Sequence, residues 1–444
     1  MMQTELQRDI CLAQDIAREV CRQGGRAYYV GGFVRDRVLG RESKDVDIEI
    51  HGLSAAASAE LLAGFGRVEE HGASFGILQV RGYGVDIYVF VGDGVRESAL
   101  RRDLTINALY EDILTGEIVD CFGGAADLER GVLRYVDADT FGEDPLRVLR
   151  VAQFAARFGM RADESTKALC RQIDLSGVAC ERVLEELRKT LLKSAAPSVA
   201  FELLCEMGQL SPWFCEIESL RGVPQNPVYH PEGDVWAHTM LVLDAAAELR
   251  EQASDPFDFM LAALVHDVGK PQTTRTLEDG RLVAYGHEAA GVPVAKAFLR
   301  RLGVRNKTES YVLNMVELHM APLSLARQGA RQKSYNKLFD QSVCPRDLLL
   351  LAFADARGRV GATLDEATRS ELEDRLAAFE ELMALPCVQG RDLIELGVEP
   401  GPLMGEVLKY AHKLRLSMVN KERALQQCAG FYRKLKADEA KQLG

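Results

Sequence analysis

At "FGEDP", Phe141 to Pro145, the chain changes the period of its apolar residues, and that change most limits the folds open to it. Before it, short strand-like runs recur: "RAYYV", "DVDIEI", "GILQV", "VDIYVF" and "LRYV", with Gly-rich turns and a helical "SAAASAELLAGF" between them. Short alternating runs interleaved with helices predict an α/β or α+β head. Residues 1–24 precede it with helical spacing (Ile10, Ala13, Ile16, Ala17, Val20) and a stop at Gly24–Gly25. After it, helical periodicity prevails to the C-terminus. "DPLRVLRVAQFAARFG" opens with Asp144 at an N-cap position and Pro145 at the first helical position, and closes on Gly159. "LRGVPQNPVYHPEGD", Leu220 to Asp234, holds three prolines and reads as a connector between helical units. A second Gly/Pro-rich stretch, "LPCVQGRDLIELGVEPGPLMG", precedes a basic last helix.

A chain of 444 residues is too long for one compact core and predicts several domains. No apolar run approaches the ~18 residues of a membrane span, and "MMQTELQRDI" is too polar for a signal or transit peptide, so a cytoplasmic protein without a membrane partner is expected. The ten cysteines are scattered without a C-x-x-C pair, which predicts reduced thiols rather than a zinc ribbon or redox motif. A net charge of −12 weighs against nucleic acid along the whole surface but leaves room for a local basic face.

Three stretches carry candidate chemistry. Gly31 and Gly32 follow the strand-like "AYYV" and precede the helical "FVRDRVLG". Backbone N–H groups there can cradle a phosphate, with Arg35 one turn in as a positive fork, or the pair is simply a tight turn. In "DVDIEI", Val46, Ile48 and Ile50 share one strand face and Asp45, Asp47 and Glu49 the other. Two such carboxylates can share hard cations, as in nucleotidyl transfer, or mark a solvated sheet face. In "EDPLRVLR", Asp144, Arg147 and Arg150 recur at three-residue steps along one side of a helix. A carboxylate accepts from an exocyclic amine and an Arg fork donates to a ring nitrogen or carbonyl. Such a pair accepts cytosine and adenine and rejects guanine and uracil; the alternative is an N-cap followed by a solvated basic stripe.

Taken together, "VGGFVRDRVLG…KDVDIEI", "RRDLTINAL", "VDCFGGAADL" and "EDPLRVLRVAQFAARFG" resemble, in order, the motifs of tRNA nucleotidyltransferases and bacterial poly(A) polymerases. These form the class II branch of the polymerase-β-like nucleotidyltransferases. "HPEGDVWAHTMLVLD" and "LVHDVGK" are similar to the HD domain fused to many bacterial members. The resemblance implies a multidomain α/β head followed by a mostly α-helical neck, HD body and tail, divided at 1–140, 141–222, 223–365 and 366–444. It implies that Asp45 and Asp47 bind catalytic Mg2+, with Asp86 on a neighbouring strand acting on the attacking 3′-hydroxyl. It further implies that Glu143, Asp144 and Arg147 read the base, with CTP and ATP as substrates. Within "RRDLTINAL", Arg102 is expected to meet a phosphate and Asp103 and Asn107 the ribose hydroxyls; the alternative is a charged helix start.

Two departures stand out. Cys121 occupies a position that is proline in the family's usual "DPFGG". The link "VGDGVRESAL" is shorter than the flexible loop usual between these motifs, which opens the alternative of an enzyme that stops at CC.

Of the eight histidines, five fall between His230 and His319. His238, His266–Asp267 and Asp355 follow the H…HD…D order of HD phosphohydrolases, with His287 and His319 spaced as further ligands. Imidazoles with carboxylates suit a divalent transition metal or Mg2+, whereas His51, His71, His230 and His412 are expected to be ordinary core or surface residues. Basic stretches for a tRNA partner are Arg300, Arg301, Arg305 and Lys307; Arg327, Arg331, Lys333 and Lys337; and the tail "HKLRLSMVNKERALQQCAGFYRKLK". The expected function is addition of C, with or without A, to a tRNA 3′ end, with phosphatase or phosphodiesterase activity at the HD site. The alternatives are CC-only addition, or an HD phosphohydrolase with a vestigial head.

Overall fold

The computed structural model describes residues 2–43, 45–71, 77–80, 84–89, 94–361 and 365–443, and the chain forms two compact units, Met1–Trp213 and Phe214–Gly444. Among the described residues no helix is long and apolar enough to cross a membrane.

In the first unit the helix Met2–Arg22 buries Ala13, Ile16, Ala17 and Val20. It ends before Gly24, whose φ of +86° suits glycine. The central sheet contains β1 (Arg26–Val30), β2 (Val46–His51), β3 (Val68–His71), β4 (Ile77–Val80), β5 (Val85–Val89), β6 (Leu109–Asp112) and β7 (Ile118–Asp120). Their spatial order is β3-β4-β5-β2-β1-β6-β7, and every neighbour is antiparallel except the parallel pair β2–β5. "LRYV" does not join this sheet: Val132–Leu133 pairs with Arg161–Ala162 in a separate ribbon. Strands β3, β6 and β7 are too short and too mixed in polarity to show as alternating runs.

The helix Leu146–Phe158 starts one residue later than its motif suggests, with the Asp144 carboxylate accepting from the Leu146 N–H at 3.2 Å. It stops at Gly159, in the left-handed region at φ +67°. Val148, Val151, Ala152 and Phe154 are buried on its inner face, against the helices Cys180–Lys193 and Ser198–Glu206.

The second unit is helical. The helix Pro256–Val265 is buried from Phe257 to its end, with Phe259 to Val265 at zero exposure, so it reads as a continuous apolar run rather than a stripe. Two glycines let its neighbours close in. A Cβ at Gly269 would stand 2.0 Å from the His287 carbonyl oxygen, and one at Gly358 would stand 2.3 Å from a Val242 methyl. The segment Leu220–Asp234 is folded into this unit rather than linking units: Asp234 accepts from the Gly222 N–H at 2.6 Å, and Val235 N–H donates to the Val223 carbonyl at 3.0 Å. Toward the C-terminus, Leu393, Val398, Val407, Ala411, Cys428 and Tyr432 form a small core of their own.

The basic stretches divide into tethered and exposed side chains. Arg301 pairs with Glu216, and Arg415 donates to the carbonyls of Leu382, Met383 and Leu385, satisfying a helix end. These two are structural. Arg305, Lys307, Arg327, Arg331, Lys333 and Lys337 are exposed, whereas Arg300 is exposed but paired with Glu309 at 3.3 Å.

Candidate functional site

On β2, Val46, Ile48 and Ile50 have zero exposure, as the alternation requires. The opposite face is open at one end only: Asp45 is exposed just before the strand and Asp47 is half-buried, whereas Glu49 and His51 are buried. The parallel register sets Asp47 beside Asp86 on β5, so strand pairing brings these positions together at one end of the sheet. The Asp86 side chain lies outside the described residues. Exposed and half-buried carboxylates at a strand end are hard oxygen donors that fit a Mg2+ ion.

Gly31 adopts φ +60° and ψ −125° between β1 and the helix Gly32–Val38, a conformation that strains any other residue. A Cβ there would approach Arg102 Nη1 at 3.7 Å, so Arg102 stands over the glycine turn. Arg35 also reaches the turn, with Nη2 3.5 Å from where a Cβ at Gly32 would stand, but it is buried, donates to Asp36 at 2.7 and 2.9 Å and to Asn107 at 2.7 Å, and lies 4.6 Å from the Phe158 ring centroid. It ties the turn to "RRDLTINAL" instead of offering a fork to phosphate.

Asp103 and Asn107 also face inward. Asp103 accepts from Leu104 N–H (2.8 Å), Asn107 Nδ2 (2.9 Å) and Arg150 Nε (2.7 Å), and both residues are buried. Burial alone would raise the Asp103 carboxyl, but Arg150 and these donors outweigh it and hold it below the usual range. In this structure the polar atoms of the pair meet protein partners, as a buried brace does. Arg150, expected among the nucleotide-binding residues, is part of that brace, and its guanidinium also lies 3.8 Å from Glu186.

The base-reading candidates are arranged differently from the expected Asp–Arg pair. Asp144 is bridged by Arg182, at 2.7 and 3.1 Å, from the helix Cys180–Lys193. Arg147 donates to the backbone carbonyls of Thr140 (2.5 Å) and Arg101 (2.6 Å). Glu143 is exposed. Sequence reasoning missed Arg182 because it lies 38 residues from Asp144; only the packing of two helices joins them. In "VDCFGGAADL", Asp120 caps the following turn by accepting from the N–H groups of Gly123, Gly124 and Ala125 at 2.8–3.0 Å. A Cβ at Gly124 would stand 2.1 Å from the Thr105 carbonyl oxygen. This motif therefore holds the "RRDLTINAL" turn, and Cys121 sits within it with its carbonyl accepting from Arg96 at 3.3 Å.

The second unit gathers all six of the histidines and aspartates singled out there. His238, His266 and Asp355 form one buried group with ligand atoms within 4.8 Å of one another, and Asp267, His287 and His319 form another. Helix ends place them: His266 and His319 terminate the helices Pro256–Val265 and Asn306–Leu318, and His287 begins His287–Arg301. In each of these three the Nδ1–H donates to the carbonyl three residues earlier, Ala263, Ala284 and Val316, at 2.8 Å. That fixes the tautomer and turns each Nε2 lone pair inward.

His287 Nε2 then lies 3.3 Å from His319 Nε2, and 3.3 Å from Asp267 Oδ1. His266 Nε2 is 3.1 Å from Asp267 Oδ2, yet neither it nor either Asp267 oxygen has a properly directed hydrogen bond. Lys270 Nζ reaches Asp267 Oδ2 at 2.6 Å, but off that direction. Buried imidazole and carboxylate acceptors that lack directed hydrogen bonds suit a divalent cation. Burial opposes ionisation of Asp267, but His266 and Lys270 hold its carboxyl well below the usual range, and burial lowers His319.

His230 is not the bystander expected. Its Nδ1 meets Glu232 at 2.8 Å, and its ring packs edge-on to His238 with centroids 4.7 Å apart. Glu232 Oε1 also lies 2.9 Å from His238 Nδ1. The signal for both was the spacing within "HPEGDVWAH". His51 is buried beside Glu49, and His412 pairs with Asp340 at 2.7 Å. His71's side chain lies outside the described residues.

A nucleotidyltransferase head joined to an HD domain is the class that this fold and these clusters define. The Poly A polymerase head domain family matches residues 27–89 and 89–134, and the HD domain family matches 235–357. The multifunctional CCA protein of Actinobacillus pleuropneumoniae serotype 5b is 35% identical over 379 residues, covering 78% of this chain and 88% of that protein. That of Halorhodospira halophila is 36% identical over 412 residues, covering 86% and 94%. The chain belongs to the multifunctional CCA protein family. The Thermotoga maritima CCA-adding enzyme, solved in complex with tRNA, has the same fold, with a TM-score of 0.65 at 20% identity over 94% of both chains.

Proposed function

We infer that this chain is a tRNA nucleotidyltransferase that builds the 3′-terminal CCA from CTP and ATP in the cytoplasm, and that its HD site is a metal-dependent phosphohydrolase. The observation that carries the transferase reading is the open end of β2, where Asp47 stands in register with Asp86 and the exposed Asp45 directly precedes the strand. Asp45 and Asp47 would hold Mg2+, which when bound polarises phosphoryl oxygens and neutralises developing charge. The Gly31 turn and Arg102 face the triphosphate. Asp144, Arg147 and Arg182 line the base site, with Glu143 beside them.

The relatives' shared name, multifunctional CCA protein, supports a complete CCA end. Addition that stops at CC rests on the brevity of "VGDGVRESAL". Residues 91–93, where that link begins, lie outside the described residues, and a helix runs Val95–Leu100. At the HD site, His238, His266, Asp355, Asp267, His287 and His319 would hold one or two divalent ions, with imidazole donors favouring a transition metal over Mg2+. The test is incubation of a tRNA lacking CCA with each labelled NTP: incorporation of C and then A supports the reading, and no incorporation removes it.

A further inference from the structure

Two residues beyond Asp47 on the same strand, Glu49 is a carboxylate with 2% exposure. Burying a charge is costly unless it is paired and hydrogen-bonded, and four side chains from three segments surround this one. Ser98 Oγ–H donates to Oε1, Arg102 Nη2 donates to Oε2 at 2.7 Å, Tyr110 O–H donates to Oε2 at 3.3 Å, and His51 Nε2 lies 3.2 Å from Oε1. Tyr110 O–H also lies 2.9 Å from Ser98 Oγ. Burial opposes ionisation, but the contacts to His51, Arg102 and Ser98 together bring the Glu49 carboxyl below its ordinary value. The acid is therefore a fixed anion, and Arg102 is the one cation among its partners that also reaches the glycine turn. Its Nη2 is held by Glu49, while Nη1 stands over Gly31. A guanidinium fork held on one side presents its other N–H groups in a set direction, which spares the rotamer entropy of a free Arg.

We propose that Glu49 is a positioning residue for the nucleotide's phosphates: it aims Arg102 across the Gly31 turn, so that the strand carrying the metal aspartates also sets the triphosphate contact. This rests on the transferase reading above. Glu49 touches no substrate and acts through Arg102.

The test is Glu49→Gln, which keeps size and one acceptor but removes the charge. KM for CTP and for ATP should rise together by about tenfold, the size expected for weakening one charge-assisted hydrogen bond, with kcat nearly unchanged. Inhibition by inorganic pyrophosphate should weaken by the same factor, while inhibition by cytidine, which has no phosphate, should stay constant. In an Arg102→Ala background the Glu49→Gln change should have no further effect on pyrophosphate inhibition. Should the Gln variant not fold, Glu49→Asp, which withdraws the charge by one methylene, reads the same quantities.

Unchanged pyrophosphate inhibition in a folded variant would overturn the inference. Equal weakening for cytidine and pyrophosphate, or an undiminished effect in the Arg102→Ala background, would do the same. A wild-type chain that adds no nucleotide would instead remove the transferase reading itself, and the inference with it.

Discussion

Replacing Asp103 by Asn separates two accounts of "RRDLTINAL", one in which the Asp meets ribose and one in which it braces the head against the helix Leu146–Phe158. The carboxylate accepts from Arg150, Leu104 and Asn107 while 7% exposed. Asn keeps one acceptor for Leu104 and Asn107 but turns a donor, without charge, toward Arg150. Breaking a buried ion pair from one side costs ~3–5 kcal/mol. Arg150 retains 31% side-chain exposure and has Glu186 at 3.8 Å, so the lower end, about 3 kcal/mol, is expected. With a urea slope of about 2–3 kcal/mol/M, the unfolding midpoint should fall by about 1–1.5 M. The pH dependence has a fixed sign. The folded carboxyl is held below its unfolded value near 3.9, so its contribution is complete above that value and is lost as pH falls through the folded one. The gap between wild type and Asp103→Asn should be widest at neutral pH and close below about pH 4. Urea titrations at several pH values, alongside CTP and ATP kinetics, measure both. An unchanged midpoint with a selective loss of nucleotide affinity would refute the brace and restore the ribose contact.

Asp45→Ala or Asp47→Ala should abolish nucleotide addition while leaving the circular dichroism spectrum and melting temperature near wild type, since neither side chain is in the core; near-normal transfer by either would remove the metal assignment. Arg182→Ala should change stability by less than about 1 kcal/mol, because the pair is half-exposed, yet should blunt the preference for C and A over G and U; unchanged incorporation ratios would place base choice elsewhere. Gly269→Ala forces a methyl to 2.0 Å from the His287 carbonyl oxygen, so a loss of about 3 kcal/mol or more and reduced metal content by atomic spectroscopy are expected; a wild-type melting temperature and full metal content would contradict the close approach. Chelation followed by re-metallation should switch phosphoester hydrolysis off and on in the HD unit, with His266→Ala abolishing it but sparing nucleotide addition; loss of both activities in a folded variant would contradict two separate sites.

Local spacing made some of this legible. The β2 alternation and the helix after Asp144 follow from short-range pattern, whereas the six metal-site candidates were legible through their resemblance to the H…HD…D order of HD phosphohydrolases, since His238 and Asp355 meet across 117 residues. What escaped reading depends on chain segments meeting in space. Arg182 reaches Asp144 only through helix packing, and Arg35 carries the same charge whether it faces a phosphate or Asn107. Asp103 and Asn107 read as ribose contacts or as a charged helix start until their partners are placed. Glu232 and His230 lay within a recognised motif, but only the fold shows that Glu232 stands between His230 and His238. The Pro-rich segment Leu220–Asp234 has the composition of a linker, and its side-chain and backbone bonds to its own ends make it part of a domain.

The most direct test of the central claim is to sequence the 3′ ends formed when a tRNA ending at the discriminator nucleotide is incubated with CTP and ATP together. The account requires molecules ending in CCA, with addition of a single A to a tRNA already ending in CC, and both lost in Asp47→Ala. Ends that stop at CC would contradict complete CCA addition, and ends that remain at the discriminator nucleotide would contradict the transferase assignment altogether.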